Sequence, residues 1–95
     1  MTKEQLDLLE NVMDSLDRLF DRESRVIDVY ALIFATTRAL SGTEFGERLE
    51  PYVGALHVLV RKPYSEDQRR DDALGVTDDL RHYLSDLLPA PNASA

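Results

Sequence analysis

The sequence predicts an all-α protein, a single-domain antiparallel bundle of about four helices. Apolar residues recur at steps of three and four along most of the chain, and almost no stretch shows the period of two expected of a half-buried strand. Two of the periodic stretches open with a Thr/Ser-x-x-Gln pair, the signature of a capped helix start. With 95 residues, of which 43% are hydrophobic and 31% charged, the chain suffices for one core but not a second, and is too apolar to stay disordered. One helical domain over residues 1–88 and a disordered tail over 89–95 are therefore expected.

The elements follow in order. Thr2 and Gln5 form a capping box, so a first helix runs from about Lys3 to Asp21, with Leu6, Leu9, Met13, Leu16 and Phe20 as its apolar stripe. The polar run "DRESR" interrupts it. Ser24 is placed to cap a second helix from Arg25 to Leu40, closed by Gly42 in the left-handed conformation. The other possibility is one long helix, because the register continues to Ile27, Tyr30 and Phe34. In the second segment "VIDVYALIFA" is apolar almost all round, which predicts burial on most faces and a place at the centre of the bundle.

Pro51, preceded by Glu50, suits the first turn of a third helix that continues through Tyr52, Val53, Leu56, Leu59 and Val60 to Pro63, with "TEFGERL" adding one short turn ahead of it. Ser65 and Gln68 form the second capping box. Leu74, Leu80, Tyr83, Leu84, Leu87 and Leu88 then carry a fourth helix as far as Pro89, weakened at Gly75 by about 1 kcal/mol relative to Ala. The closing "PAPNASA" has no apolar anchor, so removing Pro91 to Ala95 should leave the melting temperature unchanged.

Chemistry-bearing patterns are few. The chain has no cysteine, hence no disulfide and no thiolate metal site. His57 and His82 do not form an H-x-x-x-H pair. His57, among Val53 and Val60, reads as packed at the edge of the core. Asp79 and His82 reproduce only half of the carboxylate-x-x-His arrangement of di-metal bundles. No G-x-S-x-G elbow occurs, and "SGTEFG" lacks the lysine and spacing of a phosphate loop. The expectation is a protein without catalysis, metal or cofactor. No window approaches the roughly 20 apolar residues of a membrane span, and "MTKEQLDLLE" is neither a basic region nor an apolar signal core; a cytoplasmic location is expected, and the N-A-S triplet at 92–94 is read as accidental.

The net charge of -7 sits at the two ends of the chain, -4 over residues 1–28 and -4 over 64–95, against +1 between them. Phosphate binding needs clustered Lys and Arg, so neither nucleic acid nor an anionic membrane is expected as a partner; a basic protein surface is the complement. Along the first helix an acid follows each residue of the apolar stripe: Asp7, Glu10, Asp14, Asp17 and Asp21. Like charges three or four apart repel, and the stripe costs about 1 kcal/mol. Asp17 and Asp21 also oppose the helix dipole. A solvated flank accounts for the charge but not for its alignment, whereas a recognition surface accounts for both. First and fourth helices are neighbours in an up-and-down bundle, so Asp71, Asp78 and Asp79 would extend this surface, with Tyr52 and Tyr64 as anchors if they are exposed and as packing residues if half-buried. Asp28 reads either as a first-turn acid favoured by the dipole, or as a buried carboxylate paired with Arg25 or Arg38, or as a partner contact beside Tyr30.

The run "SRVIDVYALIFATTRAL", followed by "LEPYVGALHVLVRK" and "DDLRHYLSDLL", resembles the small acidic all-helical immunity proteins that neutralise bacterial toxins delivered between competing cells. The likeness is one of size, charge and helical pattern over roughly residues 24 to 88, and it carries no motif whose residues transfer by position. It implies a non-catalytic single-domain protein that binds a cognate toxin domain, often a basic nuclease, at its active site or beside it. The competing expectation is a small helical adaptor, a secretion chaperone or an assembly subunit that docks through an apolar groove, with oligomerisation through the Leu6 stripe as its signature. A nucleic-acid mimic would also use aligned carboxylates. The oligomeric state is left open by the sequence.

Overall fold

Thr2 stands in extended conformation and accepts a hydrogen bond from the Gln5 backbone N–H while the Gln5 side chain accepts one from Thr2, and from this capping box α1 (Lys3–Phe20) begins as expected. The computed structural model describes residues 1–89; of the expected tail, everything beyond Pro89 lies outside the described residues. Four further helices follow: α2 (Val26–Ala39), α3 (Glu44–Arg61), α4 (Glu66–Val76) and α5 (Asp78–Leu87), and there is no strand among the described residues.

α1 ends at Phe20 with Asp21 as its cap, so the single long helix is not formed. Glu23 N–H bonds to the Arg18 carbonyl at 2.8 Å and Arg22 N–H to the Leu19 carbonyl at 3.3 Å, a Schellman closure with Arg22, not glycine, at φ 65° in the left-handed region. The buried side of α1 is Leu9, Val12, Leu16 and Leu19, all fully enclosed. This rotates the expected stripe: Phe20 is 61% exposed, because the helix surrenders its last turn to solvent on that side and Leu19 takes the core position.

α2 starts at Val26, one residue later than expected. Ser24 does not cap it; Arg25 is the cap residue, and its N–H donates to the Asp28 carboxylate at 3.2 Å. The next free donor, Val26 N–H, bonds to the Glu66 carboxylate of α4 at 3.3 Å. Asp28 is therefore the exposed first-turn acid, not a buried ion-pair partner. Val26, Val29 and Ile33 are enclosed, while Ile27 and Phe34 are 44% and 41% exposed. The expectation of burial on most faces fails, since only one side of α2 is covered by its neighbours. Gly42, at φ 85°, closes the connection to α3 as expected.

α3 begins at Glu44, far ahead of Pro51, which lies inside it. Thr43 caps the helix by accepting from Gly46 N–H at 3.3 Å, and buried Phe45 and Leu49 hold these first turns against the core. A Cβ on Gly46 would stand 2.5 Å from the Leu40 carbonyl oxygen, so glycine is what lets the start of α3 lie on the end of α2. Proline removes only the hydrogen bond to the Glu47 carbonyl, and Glu47 is on the exposed side.

The expected fourth helix is two. Ser65 caps α4 by accepting from Gln68 N–H, but the Gln68 side chain donates to Asp72 in place of completing the box. The break falls at Thr77, not at Gly75. Thr77 is fully buried and its hydroxyl donates to the Ala73 carbonyl at 2.7 Å. That bond satisfies the buried hydroxyl and marks the bend.

Each helix packs on the next, α1 also meets α4 and α5, and the α2–α3 pair is the most extensive. Residue pairings set the directions: Asp17 with Arg81 makes α1 and α5 antiparallel neighbours, and the stacking of Tyr30 on His57 accompanies an antiparallel α2–α3 hairpin. One core results, built on Leu9, Leu16, Ile33, Leu49, Leu56, Leu80 and Leu84, with a radius of gyration of 13.2 Å, close to the roughly 13 Å of a compact chain of this length.

Candidate functional site

A groove of about 580 Å³ lies between α1 and α5. Its floor is apolar, from Met13, Leu84, Leu88 and Pro89; Glu10, Asp14 and Asp17 stand along the α1 wall, and Ser85 lies on the other. The arrangement follows from helical geometry. Met13 and Asp14, adjacent in sequence, are separated by one step around α1, so the edge of the apolar side and the acidic stripe border the same channel.

Of the ten residues the sequence singles out, this groove collects three. Asp17 is the least free of them, because its carboxylate accepts from the Arg81 guanidinium at 2.8 Å and Arg81 in turn lies over the Phe20 ring, 5.6 Å from its centroid. The acidic stripe does meet something, and at that point it is an arginine of its own chain. Asp7, Glu10, Asp14 and Asp21 are exposed. Asp78 and Asp79 occupy the first turn of α5, whose start lies at the Phe20 end of α1, outside the groove. Asp78 stands 3.6 Å from the His82 ring.

Asp71 is placed differently. It lies on α4, 3.9 Å from the Arg70 guanidinium. Arg70 is nearly buried and bonds at 3.1 Å to Asp67, which also bridges to Arg22 just after α1. These two arginines, Arg70 first and then Arg22, hold the Asp67 carboxyl below the ordinary carboxylate range through hydrogen bonding and charge. Tyr52 and Tyr64 lie on α3 and on the α3–α4 connection, not on the helices that form the groove. Both are half-buried against the core, and Lys62 sits 5.3 Å from the centroid of the Tyr64 ring.

Sequence reasoning passed over Arg69. Its guanidinium donates to the Leu59, Lys62 and Tyr64 carbonyls at 3.0, 2.7 and 3.0 Å and to the Glu66 carboxylate at 3.0 Å. It closes the carboxyl end of α3 from the first turns of α4. The only signal available was an arginine a few residues beyond a helix end, which is too common to be diagnostic. His57, expected as an edge-of-core residue, is exposed with one face of its ring on Tyr30 at 5.6 Å. Tyr83, half-buried on α5, has its phenol pushed up by burial, opposed by Arg48, whose guanidinium lies 4.6 Å from the ring centroid.

No known protein family, characterised protein or solved structure matches this chain. Among the described residues no three His, Cys, Asp or Glu side chains converge as a metal site, and no helix is long and apolar enough to cross a membrane. Within the Leu6 stripe, Leu9 and Leu16 are enclosed in the core and Leu6 is half-buried, while Met13 borders the groove and Phe20 is exposed.

Proposed function

We propose that this chain is a non-catalytic binding protein that takes a basic protein surface into the α1–α5 groove, as an immunity protein would to neutralise a cognate toxin domain such as a nuclease. The observation that carries the reading is the pairing of an apolar floor, Met13, Leu84 and Leu88, with the acidic wall of Glu10 and Asp14. An apolar side chain flanked by lysine or arginine matches such a channel in both shape and charge. Asp7 and Asp21 prolong the wall at either end, so the field that a basic partner meets extends beyond the contact itself. Asp17 belongs to the scaffold in this account, holding α5 to α1 through Arg81.

The test uses the product of the adjacent reading frame, or a protein co-purified from the native host. Association is measured at low and high salt for the wild type and for the variant Asp7→Asn, Glu10→Gln, Asp14→Asn, which leaves the Asp17–Arg81 bridge intact. A wild-type association rate that falls with salt, and a variant that associates slowly at every salt concentration, support the reading. Equal rates in both proteins, indifferent to salt, reduce the stripe to a solvated flank.

A further inference from the structure

On the side of α2 turned away from the core, Ile27, Ala31, Phe34 and Ala35 form an apolar strip on a helix of 14 residues, about 21 Å long. Ile27 and Phe34 are among the most exposed large apolar side chains of the described residues. α2 also stands apart in charge. It holds one acid, Asp28, near its start and one base, Arg38, near its end, whereas each of the other four helices has more acids than bases. Neither Asp28 nor Arg38 has an ion-pair partner among the described residues; Arg38 lies over Phe34, 5.8 Å from its ring centroid, which keeps the guanidinium at the edge of the strip.

From these features we infer that the chain forms a twofold symmetric dimer in which α2 packs antiparallel against α2 of a second copy. Antiparallel alignment about a point level with residue 33 sets Asp28 opposite Arg38 of the second copy, twice over by symmetry, and sets Ala31 opposite Ala35. The same register therefore satisfies both charges and places the smallest side chains where the helices approach, which permits an interaxial distance near the short end of the usual 8–10 Å. Ile27 and Phe34 flank this line and lose their contact with water. A parallel arrangement would set like charges together. The occupant is a second copy and not an unrelated partner because the strip complements itself, and because in α2, alone of the five helices, acids do not outnumber bases, which suits the meeting of two chains of net charge -7. The inference is independent of the groove, which lies on the α1–α5 side.

Sedimentation equilibrium should show a concentration-dependent passage from 10.8 kDa to twice that mass. Arg38→Glu should weaken the dimer about tenfold or more while leaving the circular dichroism melt near that of the wild type, since it replaces both attractive pairs by repulsive ones at an exposed position. The register is read separately. The chain contains no cysteine, so Ala31→Cys and Ala35→Cys chains can be mixed and oxidised. The mixed disulfide should exceed its statistical share over either symmetric one, because only that pair lies within disulfide reach. A monomer at every concentration up to millimolar, a dimer unaffected by Arg38→Glu, or disulfides in statistical proportion would each overturn the inference.

Discussion

α1 and α2 differ in a way that composition does not suggest. α1 is studded with acids, yet one side of it is fully enclosed at four positions; α2 is the most apolar segment of the chain, yet it leaves Ile27 and Phe34 in solvent. Their ends differ too. α1 carries its own start in Thr2 and Gln5 and its own stop in the turn at Arg22, whereas α2 takes one of its first hydrogen bonds from Glu66, forty residues away. What a segment supplies for itself can be read from its sequence. What its neighbours supply cannot, and burial is always supplied by neighbours.

The largest expected effect tests this contrast within two adjacent residues. Ile33→Ala empties a fully buried site and should destabilise the protein by about 2–5 kcal/mol, while Phe34→Ala, at a position 41% exposed, should cost under about 1 kcal/mol when measured on the monomer. Urea unfolding of the two variants decides it, and equal losses would mean that α2 is covered on both sides. Next in size is Arg69→Ala. It removes a guanidinium that serves three carbonyls at the end of α3, and a loss of about 2–3 kcal/mol is expected, with hydrogen exchange rising first around residues 59–64. Should α3 hold its end unaided, that exchange would not change.

The smallest effect concerns pH. The Asp67 carboxyl is held below its ordinary value of 3.8 by Arg70 and Arg22, so the folded state binds its proton less readily than the unfolded one. Its contribution to stability is accordingly present above that value and is lost as pH falls through the lowered one. The melting temperature of Asp67→Asn should therefore lie below that of the wild type near neutral pH and approach it in acid. A gap that widens in acid would reverse the sign of the argument.

Much of the fold was legible because its signals are local. The capping boxes mark where α1 and α4 start, although only the first is completed, and Gly42 marks the turn before α3. The misreadings share one cause, which is that tertiary contact overrides a local preference. Pro51 reads as a helix start, but Phe45 and Leu49 bind the preceding turns into the core and tolerate its missing donor. Gly75 reads as the weak point of the last helix, but the bend falls at Thr77, whose burial allows its hydroxyl no acceptor except the backbone. For the candidate site, the acidic stripe was legible as a pattern. That Asp17 is bound to Arg81, 64 positions further on, and that Met13 supplies the floor beside Asp14, depend on which helix comes to lie against α1.

The meeting of α1 with α5 also orders events during synthesis. The α2–α3 hairpin joins neighbours in sequence and can form as soon as both have left the ribosome, but α1, made first, must wait for Leu80, Leu84 and Arg81, made last, before that side of it is covered. Throughout that interval the nascent chain leaves the Met13 edge of α1 uncovered. The acids aligned beside it, Glu10, Asp14 and Asp17, make like-charged nascent chains repel one another while that edge is still bare.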